Sequence, residues 1–355
     1  LEHTMTWYLL LVAVPFSVAF ILTPLITKLA LRYDVLDRPS VHKTHIDAKP
    51  LLGGLSIFIS FAVVILLFLP MDKKMISMVV STLVLVVTGL YDDLYDLKPM
   101  LKLTAQVAAA SIVIMWNANL FRFFVEYFSN YNITAVVVYF LIIGWVVLMI
   151  NAFNLIDGID GLAAGTAAII FIAMAVLSFF EGGRPNMFGV QLIGAAACLG
   201  FLFYNFHPAR IYMGDCGSML LGFVLATVHL YTIKYPFSVQ LVLGSIFIFA
   251  YPALDISYAI YRRICYRNSL FKADKGHIHH VILSLGYSVK ETVMIIYALN
   301  VVFASFAVLL MNLNISAQIL LLIGIITAIS VIILFKWLIL ISKKNGILHK
   351  QIVNH

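Results

Sequence analysis

Long apolar runs, cut by short polar stretches, dominate the chain. Polar and apolar residues do not alternate within them, as they would in barrel strands. Several runs are long enough to cross a bilayer as a helix. About eleven can be marked, at 7–28, 51–69, 75–91, 103–120, 133–150, 162–180, 188–203, 219–231, 239–261, 292–311 and 317–341. In hydrocarbon every backbone N–H and C=O must bond inside its own segment, which favours helices. The pattern predicts an all-α polytopic membrane protein with about eleven transmembrane helices. Residues 5–355 read as one integral-membrane domain, and residues 1–4, ahead of Met5, read as a vector-derived remnant.

Composition agrees. Of 355 residues, 63% are hydrophobic and 11% charged, and mean hydropathy is +1.04, far outside the globular range. The net charge of +7 changes the picture only through its distribution. With eleven spans, 18 of the 23 Lys and Arg residues fall on one side, including Lys43, Lys98, Lys102, Arg210 and Lys272. Lys73, Lys74, Arg122, Arg184 and Lys234 fall on the other. The positive-inside rule then puts the N-terminus outside and the C-terminus in the cytoplasm. The basic excess is explained without nucleic acid. Cys198, Cys216 and Cys265 are scattered and imply neither a disulfide framework nor a zinc site.

The polar residues at the cytoplasmic ends of the runs carry the chemistry. Asp92, Asp93 and Asp96 follow the third run, with Lys98 and Lys102 just beyond. On a helix end the three carboxylates share an arc and repel, which suits a cation better than a purely structural role. Asn154, Asp157 and Asp160 are spaced three apart, interleaved with Gly158, Gly161 and Gly165. A helix cap explains one such residue, not three in register. Asp215 stands between Gly214 and Gly217 at the start of the eighth run. Upstream, Tyr212 can stack on a flat ring and Asn205 can read a polar edge, although either can equally be an interface anchor or loop cap. Gly276-His-Ile-His-His280 offers three imidazoles. The hard oxygen ligands elsewhere favour phosphate donors over a zinc centre here. Asp255 reads as a structural charge partner beneath Arg262 and Arg263. Pro50-Leu-Leu-Gly-Gly54 reads as a helix entry or a close-packing point.

Taken together and in this order, Asp-Asp-x-x-Asp at 92–96, Asn-Ala-Phe-Asn to Asp-Gly-Ile-Asp-Gly at 151–161, Met-Gly-Asp-x-Gly-Ser at 213–218 and His-Ile-His-His at 277–280 resemble the polyprenyl-phosphate N-acetylhexosamine-1-phosphate transferases. The histidine and acidic motifs look like the branch using UDP-GlcNAc. The stretch 202–209 is similar to the Gram-positive TagO/TarO type that begins wall teichoic acid synthesis.

The resemblance implies transfer of GlcNAc-1-phosphate from UDP-GlcNAc to undecaprenyl phosphate, with release of UMP. It implies a site on the cytoplasmic face of a bacterial plasma membrane, and it leaves room for a homodimer. By the same resemblance, Asp215 and Asn154 match ligands of Mg2+, which Mn2+ can replace. Asp92, Asp93 and Asp157 match the catalytic carboxylates. Asp160, Asn205 and Tyr212 match nucleoside contacts, and Lys102, His279 and His280 match phosphate contacts. Cys216 stands where Ala, Ser or Thr is more usual. The alternatives are a UDP-MurNAc-pentapeptide transferase of the same superfamily and, from another class, a transporter or flippase. A transporter would place its ionisable groups near the bilayer midplane, on broken helices in matching halves.

Overall fold

A computed structural model describes residues 5–38, 48–117, 132–180, 185–232, 239–265, 276–312 and 319. The chain divides into two compact units, Leu1–Thr232 and Ile233–His355. The first contains α1 (Met5–Arg32), β1 (Leu36–Asp37), β2 (Lys49–Pro50), α2 (Gly53–Phe68), α3 (Lys73–Tyr95), α4 (Pro99–Trp116), α5 (Asn132–Ile156), α6 (Leu162–Phe180), α7 (Pro185–Asn205) and α8 (Gly214–Thr232). The second contains α9 (Val239–Ile248), α10 (Ala250–Cys265), α11 (Ile278–Ser284) and α12 (Val289–Asn312). The all-α polytopic class is as expected. The one β pair is two residues long, antiparallel, with Asp37 opposite Lys49.

Among the described residues, eight helices are long and apolar enough to cross a membrane: α1, α3, α4, α5, α6, α7, α8 and α12. The second predicted span forms the shorter α2, of 16 residues. The ninth is two helices, not one. The break falls at Phe249, because Pro252 has no N–H to give to the preceding turn. Apart from residue 319, the eleventh span lies outside the described residues.

In the first unit α8 is the central element. Every residue from Cys216 to Tyr231 is buried, and α8 packs on α3, α5 and α2. α1 and α6 pack on α7. By contrast, α1 turns Leu9, Leu10, Phe16, Ile21, Leu25 and Leu29 outward. So continuous an apolar face is what a lipid-facing helix presents.

Several helices run past the apolar edges read from the sequence. α3 reaches Tyr95, α4 starts at Pro99, α5 continues to Ile156 and α8 starts at Gly214. Pro99 suits the first turn of α4, where its missing N–H is not needed. As a result Asp92, Asp93, Lys102, Asn154 and Asp215 all sit on helix ends rather than in loops. Helix ends hold side chains more firmly than loops do.

Candidate active site

The site begins where α8 begins. Gly214 has φ of +75°, a left-handed conformation suited to glycine. A Cβ there would lie 2.6 Å from Asp93 Oδ2. Asp93, reaching across from α3, accepts the backbone N–H of Asp215 at 2.8 Å and that of Cys216 at 3.3 Å. Two of the unpaired N–H groups of α8 are thereby satisfied by a carboxylate from another helix, in favourable alignment with the helix dipole. Glycines make this approach possible. A Cβ on Gly89 would collide with the Cys216 backbone, and one on Gly54 with the Gly217 backbone.

Lys102 is the hub. Its ammonium lies 2.8 Å from Asp215 Oδ2 and also pairs with Asp92. The other oxygen of Asp215 accepts from Asn154 Nδ2 at 2.8 Å, and the same amide reaches Ser218 Oγ at 3.2 Å. Asp92 is buried, and its Oδ1 accepts the Leu97 N–H at 2.8 Å. Thus α3, α4, α5 and α8 each contribute a side chain to one cluster. Asp96 separates from the other two carboxylates of its motif. It ends α3 in a left-handed conformation and is exposed.

Asp157 follows α5; its N–H donates to Phe153 O at 3.1 Å, and its carboxylate has no hydrogen-bond or ion-pair partner among the described residues. Burial holds its carboxyl well above the usual carboxylate range, and the charges of Asp215, Asp93, Asp160 and Asp37 push the same way. The next carboxylate behaves differently. Asp160 Oδ2 accepts from the Ala209 N–H at 2.9 Å and bonds His207 Nδ1 at 2.8 Å, with Lys49 Nζ 3.7 Å away. Asn205 spends both ends of its amide on backbone, accepting from Gly161 N and donating to Ile211 O. These two residues fasten the 157–161 turn to the 205–212 segment.

Tyr212 is half-buried, with Lys49 Nζ 5.2 Å from its ring centroid. Burial raises its hydroxyl above the usual tyrosine range, helped by Asp160, Asp37 and Asp157. Its backbone bonds Pro50 O and the Gly53 N–H. The Pro50–Gly54 stretch is therefore a docking strip for the site segment.

The second unit holds the histidine motif. Asp255 does act as a charge partner, but for His277, whose Nδ1 is 2.8 Å from Asp255 Oδ2. Its other oxygen accepts the Ile278 N–H at 2.7 Å. His279 is 1% exposed, and neither ring nitrogen has a hydrogen-bond partner among the described residues. Burial lowers its proton affinity well below the usual histidine range, as do His280 and His277. His279 and His280 rings lie 4.2 Å apart.

Sequence reasoning missed Lys49, His207, Ser218 and His277 as partners of site residues. Lys49 had a signal, since it directly precedes the Pro50–Gly54 strip. The register that sets it opposite Asp37 is a tertiary fact.

The donor set has the right chemistry for a hard divalent cation. Asp92, Asp93, Asp157 and Asp215 stand against one lysine within the cluster, Asp157 is unpaired, and Asn154 Oδ1 has no partner among the described residues. Carboxylate and amide oxygens suit Mg2+ or Mn2+. No group of three His, Cys, Asp or Glu among the described residues is already arranged around a metal position. Lys102 and Asn154 hold both oxygens of Asp215 in this arrangement.

A helical membrane bundle bearing carboxylates, a bridging lysine and an amide at one end of its helices defines a class: a membrane enzyme of phosphate chemistry. The chain belongs to the polyprenyl-phosphate hexosamine-1-phosphate transferase superfamily. A profile of glycosyl transferase family 4 matches residues 75–233. A Bacillus subtilis (strain 168) protein named "Probable undecaprenyl-phosphate N-acetylglucosaminyl 1-phosphate transferase" is 33% identical over 291 residues, 82% of this chain and 81% of the relative. A Mycolicibacterium smegmatis protein named "Decaprenyl-phosphate N-acetylglucosaminephosphotransferase" is 32% identical, covering 79% of this chain and 76% of its own. An Escherichia coli O157:H7 protein named "Undecaprenyl-phosphate alpha-N-acetylglucosaminyl 1-phosphate transferase" is 30% identical, covering 79% and 78%. Membership in a transferase family sets the transporter reading aside.

Proposed function

We propose that this enzyme transfers GlcNAc-1-phosphate from UDP-GlcNAc to undecaprenyl phosphate. An oxygen of the lipid phosphate bonds to the sugar-linked phosphorus of the donor. The bond from that phosphorus to the bridging oxygen breaks, and UMP leaves with the electron pair. The observation that carries the reading is Lys102, which draws Asp92 and Asp215 together from two other helices. The names of the relatives supply the substrate class.

The chemistry explains the choice of residues. The acceptor phosphate is already mostly ionised near neutral pH, so a strong base is unnecessary. The barrier lies in bringing anions together and stabilising the phosphate that departs. Lys102 supplies positive charge at the cluster. Asp93 holds the first turn of α8 and so orients Asp215, and Asn154 fixes the Asp215 carboxylate from the side. Asp215, Asp157 and Asn154 would hold Mg2+, which when bound offsets phosphate charge. Tyr212, with Asp160 and Asn205 ordering its segment, faces the nucleoside, and His279 and His280 take phosphate oxygens. The site faces the cytoplasm of a bacterial plasma membrane, where UDP-sugars are made. The product begins a cell-envelope polymer, with wall teichoic acid the first candidate.

The test offers purified protein undecaprenyl phosphate with either UDP-GlcNAc or UDP-MurNAc-pentapeptide. UMP and undecaprenyl-diphospho-GlcNAc should form from the first donor alone. Turnover of the second donor in its place would move the enzyme to the other branch, and no lipid product from either would end the reading.

A further inference from the structure

α10 reaches the histidine motif at three consecutive residues. Arg262 donates to Gly276 O, while stacking over Tyr258 at 4.5 Å. Asp255, two turns earlier on α10, takes the next two residues. Its Oδ1 accepts the Ile278 N–H at 2.7 Å and its Oδ2 is 2.8 Å from His277 Nδ1. Both partners are nearly fully buried, Asp255 at 1% and His277 at 3% exposed. The His277 ring then lies parallel to the His279 ring, 5.8 Å away and 6° from coplanar orientation.

A helix cap would need only one oxygen of Asp255. The second oxygen sets the plane of His277 and keeps a proton on Nδ1, because a carboxylate can only accept. A carboxylate behind an imidazole fixes ring orientation and tautomer in many functional sites. The ring so fixed packs against His279, whose two nitrogens are buried without a hydrogen-bond partner among the described residues. Buried polar atoms without partners are uncommon in folded proteins, and each needs a physical reason. We infer that Asp255 is a positioning residue for donor binding: through His277 it holds the imidazole cluster that receives the diphosphate of the sugar nucleotide. The inference rests on the transferase reading above.

Asp255→Asn separates the two oxygens. The amide keeps an acceptor for the Ile278 N–H but turns an N–H donor toward His277 Nδ1, so the ring must change tautomer or turn away. Losing one charge-assisted hydrogen bond of this kind should raise KM for UDP-GlcNAc about tenfold. KM for undecaprenyl phosphate and the detergent melting temperature should stay at wild-type values. His277→Gln should give the same split, and the double variant should be no worse than the more impaired single one, since the two residues act as one unit. Equal rises in both KM values, an unchanged donor KM or additive losses would overturn the inference. If Asp255→Asn melts low, His277→Gln, which leaves the Asp255–Ile278 bond in place, decides by the same split. The wild-type control keeps the readings apart: no wild-type turnover of UDP-GlcNAc defeats the transferase reading, whereas normal turnover with an indifferent Asp255→Asn defeats only the positioning role.

Discussion

The helices α3, α4 and α8 meet twice, once at each end. At one end they bring together Asp92 and Asp93, Lys102 and Asp215. At the other they bring together Ser77, Asn117 and Tyr231. There Asn117 Nδ2 bonds Ser77 Oγ and Tyr231 OH, each at 3.0 Å, and the two hydroxyls are 3.1 Å apart. The ends lie about 23 Å apart along the helices, from a rise of about 1.5 Å per residue. The Ser77–Asn117–Tyr231 cluster is neutral, buried and mutually satisfied, as a structural polar network should be. The other has carboxylates in excess over its lysine, and beside it Asp157, just after α5, has a carboxylate with no partner among the described residues. Packing alone does not favour such an arrangement, because like charges close together repel. The same three helices thus carry a fastening at one end and a frustrated, chemically ready cluster at the other.

The largest effect expected from this contrast is metal removal. Chelation should abolish UMP release, and Mg2+ or Mn2+ should restore it, while the melting temperature moves little. Full turnover in chelator would show that the excess carboxylates serve no cation. Next comes Asp215→Asn, which keeps shape and removes one charge from the frustrated end. Turnover should fall about a hundredfold or more, the scale of losing one preorganised electrostatic group. A near-normal rate with normal melting would reduce Asp215 to a helix-start residue.

Asn117→Leu attacks the fastening instead. Leaving Ser77 and Tyr231 without their shared donor should cost about 1–3 kcal/mol of stability, read as a lower detergent melting temperature. The kcat and both KM values of the folded fraction should stay within about twofold, as befits a site that is not coupled to the fastening over that distance. A large kcat loss at full stability would erase the distinction between the ends. The smallest effect is at Asp96. Its exposed position outside the cluster predicts that Asp96→Asn changes turnover less than about twofold, since exposed charges are well screened. A loss matching that of Asp215→Asn would restore all three carboxylates of the motif to the site.

Much of this was readable in one dimension. The apolar runs place the helices, and the three motifs of the first unit name residues that converge, because apolar length and clustered carboxylates leave local signatures. The partnerships left none. Lys102 and Asp215 are 113 positions apart, and Asp93 and the Asp215 N–H 122. That Asp93 caps α8, that Asp160 and Asn205 tie two segments together, and that Asp255 holds His277 instead of an arginine all depend on helix packing. The misplaced helix ends share this cause. Apolar content marks where the lipid stops, whereas the backbone remains helical into the polar layer.

The glycines at the helix crossings limit how this enzyme can be hardened. Replacing helical glycine by alanine is a common route to a more stable protein, typically contributing about 0.5–1 kcal/mol. Gly144 on α5 has no atom within 4 Å of where a Cβ would stand, so that route is open there. At Gly54, Gly89 and Gly217 the same methyl group would push apart the backbones that deliver Asp215 to Lys102. A stabilisation campaign guided by helix propensity alone would treat these four positions alike, and at three of them it would exchange the active geometry for a better helix.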